Sequence, residues 1–132
     1  MIGFGLYQLK GATFRLAGSD IPVRQESGGH EYVKTQLFQS RPGSRSVTVQ
    51  VSPSAVPRLV ITAENGRGGG FTTTQLFING SGDMSYENGA GGASWGSGYV
   101  IQPGESPKLT FRLTHGAPGN VVLGIALADQ VH

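Results

Sequence analysis

The chain has 132 residues, no cysteine, 22 glycines and 7 prolines, and only 14% of its residues are charged. This composition excludes disulfides, thiolate metal sites, a coiled coil and a charge-rich disordered chain, and no apolar run approaches the ~20 residues of a membrane-spanning helix. Ten basic and eight acidic side chains leave a formal charge of +2, a thin field for the several phosphate contacts that nucleic-acid binding needs.

At this length one domain over 1–132 with one core is expected. Residues 1–17 predict an N-terminal arm or a hairpin pairing 4–9 with 12–16 about Gly11, and 18–30 reads as irregular. A strand follows over 32–38. Pro42-Gly43 marks a turn, because Pro presets φ at the second turn position and Gly supplies positive φ at the third. Val47, Val49 and Val51 alternate with Thr48 and Gln50, the period-two pattern of a half-buried strand. Further strands are expected over 59–63 and 71–78, separated by Asn65-Gly66 and the irregular stretch 66–70. Asn79-Gly80 favours a type I′ hairpin turn.

Residues 79–98 are dominated by Gly, Ser and Asn and read either as one long loop or as a hairpin tip with two short edge strands, with weaker strand signals over 84–86 and 95–101. Pro103-Gly104 and Pro118-Gly119 bracket a clean alternation over 109–113, and the last strand covers 121–127. No window carries a helical stripe. The fold class that follows is all-β: a single antiparallel β-sandwich, jelly-roll or immunoglobulin-like, with about eight strands plus an N-terminal hairpin or arm.

The last strand is apolar on both faces. Val121, Leu123, Ile125 and Leu127 line one side, and Val122, Gly124, Ala126 and Ala128 the other. A solvated face carries polar side chains, so something covers both: the chain's own N-terminal hairpin or a loop, or another subunit.

Motifs with chemistry are scarce. Gly92-Ala-Ser94-Trp-Gly96 matches the hydrolase G-x-S-x-G pattern, but no helix is predicted after the serine, as that elbow requires. His30, His115 and His132 have no zinc-ligand spacing. Asn79, Asp83, Glu87 and Asn88 place oxygens close together without the spacing of an EF-hand. No metal, cofactor or catalytic residue is assigned, and an enzyme is not expected.

Two readings lead, ahead of a generic immunoglobulin-like interaction domain. The first is a non-enzymatic structural subunit of a multi-copy assembly, a virion protein of the capsid, decoration or tail kind. Its partners would be other copies of itself or a larger particle, with contacts through Phe4, Leu6 and Tyr7 on the arm and Val122, Ala126 and Ala128 on the last strand. The second is a carbohydrate-binding module or lectin, in which Tyr86, Trp95 and Tyr99 stack on sugar rings while Asp83 and Asn88 meet hydroxyls. The start of the sequence lacks the pattern of a secretion signal, so a virion or otherwise the cytoplasm is the expected location, with no membrane partner.

Overall fold

The computed structural model describes residues 11–66, 72–88 and 93–131, and for 83–88 the backbone only. Eleven strands make up its regular structure: β1 Thr13–Leu16, β2 Ser19–Pro22, β3 Arg24–Ser27, β4 His30–Gln39, β5 Ser46–Gln50, β6 Arg58–Asn65, β7 Thr72–Ile78, β8 Ser81–Asn88, β9 Ala93–Ile101, β10 Lys108–His115 and β11 Val122–Gln130. All pairings are antiparallel among the described residues.

The pairing is nested. β7 pairs with β8, β6 with β9, β5 with β10 and β4 with β11. A two-stranded ribbon with its tip at Asn79-Gly80 is thus rolled up, and the further pairs β10·β7 and β11·β6 seal it. The result is two stacked sheets, β5-β10-β7-β8 and β3-β4-β11-β6-β9. This is the jelly-roll arrangement of the β-sandwich. The tip is the I′ turn the dipeptide favours: φ is +52° at Asn79 and +87° at Gly80. Glycine also takes positive φ at all three Pro-Gly turns, at Gly43, Gly104 and Gly119.

Alternation sends Val49, Leu109, Phe111 and Leu76 inward from one sheet, against Val60, Ile101, Leu123, Ile125 and Leu127 from the other. A second core lies on the outer face of the five-stranded sheet. There Leu59, Ile61, Ala63, Ala126 and Ala128 are covered by Leu16, Ala17 and Ile21 of the β1–β2 hairpin. The small residues of β11 make room for it: a methyl group placed on Gly124 would lie 2.4 Å from Leu16 Cδ1 and 2.8 Å from Leu16 Cγ. Lys34 over the Phe14 ring and the bond from Ala17 N–H to Gln39 Oε1 fasten the hairpin at either end.

Residues 13–16 pair with 19–22 across a turn at Ala17-Gly18, and 4–9, the partner expected about Gly11, lies outside the described residues. Residues 18–30 hold β2 and β3. Positions 79–98 are not one long loop but the tip turn and most of two edge strands, β8 and β9, with 89–92 outside the described residues. The apolar second face of β11 is filled by the chain's own hairpin, and Ala126 and Ala128 are fully buried there. They offer no free surface to a second copy.

Candidate ligand site

The hairpin leaves part of the outer face of the five-stranded sheet open. At the end of the sheet where β4 begins and β9 ends, Gln25 on β3 is registered opposite Tyr32 on β4, and Tyr32 opposite Gln130 on β11. Directly paired antiparallel residues point to the same face, so an amide, a phenol and a second amide form a row across three strands. Gly28 and Gly29, with φ of +59° and +83°, close a two-residue turn that sets Ser27 and His30 opposite each other beside the row. From the far edge β9 adds Val100, and Gln102 follows it.

These elements enclose a shallow cavity of about 460 Å³, lined by Ser27, Gly28, His30, Tyr32, Pro57, Val100, Gln102 and Gln130. Its walls are held from behind. Gln130 N–H donates to Pro57 C=O at 2.9 Å. Gln102 N–H donates to Glu105 Oε1 at 2.9 Å, fixing the turn at Pro103-Gly104. The guanidinium of Arg58 donates to Ser52 C=O and ties down the segment that carries Pro57. On the opposite face of β3 and β4, Arg24 and Glu31 form a two-bond ion pair at 3.0 and 2.8 Å, and the bonds to Glu31 raise the Arg24 pKa above its ordinary value.

The lining contains no Lys, Arg, Asp or Glu. It offers two side-chain amides, each donor and acceptor, with a hydroxyl, a phenol and an imidazole over an apolar floor. Next to Tyr32, Gln25 Oε1 is buried with no hydrogen-bond partner among the described residues. Such a surface suits an uncharged ligand rich in hydroxyl groups.

The aromatic and polar residues proposed from sequence do not form one platform. Trp95, 38% exposed, is registered opposite Ala63 and shares the outer face. Tyr99 is registered opposite Val60 and packs against the inner core. Alternation alone puts both on one face; a bulge at Gly98, the residue skipped between Ser97 and Tyr99, reverses the facing. Asp83, Tyr86 and Asn88 lie on β8, in the other sheet, and their side chains are outside the described set.

Of the contact residues, Phe4, Leu6 and Tyr7 are outside the described residues, and Val122 packs beside Ala126 and Ala128 under the hairpin. Ser94 sits within β9 opposite Glu64, with no strand-to-helix elbow. Asn79 Oδ1 accepts from Lys108 N–H at 2.9 Å, and no cluster of three metal-binding His, Asp or Glu occurs among the described residues. Sequence reasoning missed Gln25, Ser27, Tyr32, Gln102 and Gln130. The signal that could have found the first three was Gly28-Gly29, a two-residue hairpin turn whose flanks fix the register of β3 on β4.

No family model and no curated protein sequence matches the chain. Among solved structures it is similar to a β-glucosidase from Paenibacillus barengoltzii, at 14% identity and a TM-score of 0.46 over 70% of this chain; it spans 10% of that enzyme. It is also similar to the carbohydrate-binding module CBM36 in complex with calcium and xylotriose, at 13% identity and a TM-score of 0.38, over 82% of this chain and 98% of that module.

Proposed function

We propose that the chain is a non-enzymatic carbohydrate-binding module whose site is the cavity on the outer face of the five-stranded sheet. The observation that carries this reading is the chemistry of the lining: neutral amides and hydroxyls over Tyr32, Val100 and Pro57, set on strands and the turns that adjoin them. Amides exchange hydrogen bonds with sugar hydroxyls in either direction, and the apolar floor receives the C–H face of the ring. The rigid backing keeps the entropy cost of binding low.

Titration calorimetry against neutral di- and oligosaccharides tests this. Gln130→Ala and Gln102→Ala each remove up to two hydrogen bonds, at ~0.5–1.5 kcal/mol apiece, and are expected to weaken binding by about tenfold with little change in melting temperature. If no neutral sugar binds, or if both variants bind as the unaltered chain does, the reading is wrong.

A further inference from the structure

Strand β9 connects two features of one face. Val100 and the following Gln102 line the cavity, and Trp95 stands exposed on the same outer face toward the other end of the strand. Five residues at ~3.3 Å each separate Trp95 from Val100, roughly 16 Å along the strand. Ser97, also on the outer face, lies between them. β2 packs against β9 from the hairpin side and forms a wall. On its other side β9 is the last strand of its sheet among the described residues. From Ala93 to Ile101 the strand carries no charged residue.

We infer that the ligand is a linear, uncharged oligosaccharide lying along β9, with one end in the cavity and a more distant ring stacked on Trp95. This rests on the carbohydrate-binding reading and adds its substrate class: a chain longer than a disaccharide, with no carboxylate or sulfate groups. The span from cavity to indole demands the length. Among the described residues neither β9 nor the cavity lining carries a Lys or Arg to pair with the charge of an acidic glycan. A partly exposed indole on the outer face is the group that an apolar sugar face stacks on, and Ser97 stands on the same face between the two ends.

The test uses the whole chain and cello- and xylo-oligosaccharides of two to six units. Trp95 is the only tryptophan, so its fluorescence reports occupancy of the distal position directly. In at least one series, affinity is expected to climb with length by tenfold or more and then level off. The indole emission should shift with the long sugars and not with the disaccharide. Trp95→Ala should remove the dependence on length, and Trp95→Phe should restore part of it. Sugars that bind with one affinity at every length, or a hexasaccharide that binds Trp95→Ala as well as the parent, would overturn the inference and leave the carbohydrate-binding reading standing. If no sugar of any length binds, that reading falls and takes the inference with it.

Discussion

Replacing Thr72 and Thr74 together by valine is expected to lower the melting temperature by about 10 °C or more, an effect of roughly 2–6 kcal/mol. The cause is Glu64, whose side chain is 1% exposed at the end of β6. Its Oε1 accepts from Thr74 Oγ1 at 3.2 Å and its Oε2 from Thr72 Oγ1. β6 and β7 belong to opposite sheets, so these bonds cross the sandwich and hold its two layers together. Valine keeps the shape of threonine and removes the donor, which leaves a buried carboxyl group unsatisfied at about 1–3 kcal/mol for each lost bond. Adding Glu64→Leu to the double variant should recover much of the loss, because no buried polar group then lacks a partner. Thermal denaturation of the double and triple variants beside the parent checks the argument. A drop below about 3 °C for the double variant would show that the carboxyl group finds other partners.

The second large effect lies where the hairpin meets β11. Leu16 is fully buried and sits over Gly124. Leu16→Ala should cost about 2–5 kcal/mol through the cavity it opens. Gly124→Ala should cost about 1–3 kcal/mol, since the added methyl group meets Leu16 from below. The two substitutions act on one contact, so the double variant should be more stable than the sum of the single losses requires. Urea denaturation gives the cycle, and hydrogen exchange shows whether β1 and β2 lose protection before the sandwich does. Strictly additive losses would mean that the hairpin is held mainly elsewhere, at the Lys34–Phe14 contact or the Ala17–Gln39 bond.

Much of the sandwich was legible in the sequence because its signals are local. Val47 to Val51 and Leu109 to Phe111 announce β5 and β10 by alternation, and Asn79-Gly80 announces the tip of the ribbon by the backbone conformation it prefers. Strand order was not legible. That β4 lies beside β11 depends on contacts such as Lys34 with Ala128, far apart in the chain. β8 and β9 were obscured by glycine and serine, which have low strand preference, yet pairing on β7 and β6 holds them extended. The candidate site was the least visible part. Tyr32 reads as the core residue it is, and Gln25, Gln102 and Gln130 read as ordinary surface amides, until the register of four strands brings them together. The exposed tryptophan was legible as a candidate; its separation from Tyr99 was not, because a one-residue bulge leaves no mark in an alternating pattern beyond the glycine itself.

The position of β11 has a consequence for synthesis. The final nine-residue strand supplies side chains to both apolar cores at once, with Leu123, Ile125 and Leu127 on one side and Ala126 and Ala128 on the other. A growing chain can pair β7 with β8 as soon as their turn has left the ribosome. It cannot close either core until β11 has followed, so the strands made before it wait with their apolar surfaces uncovered and exposed to the risk of aggregation.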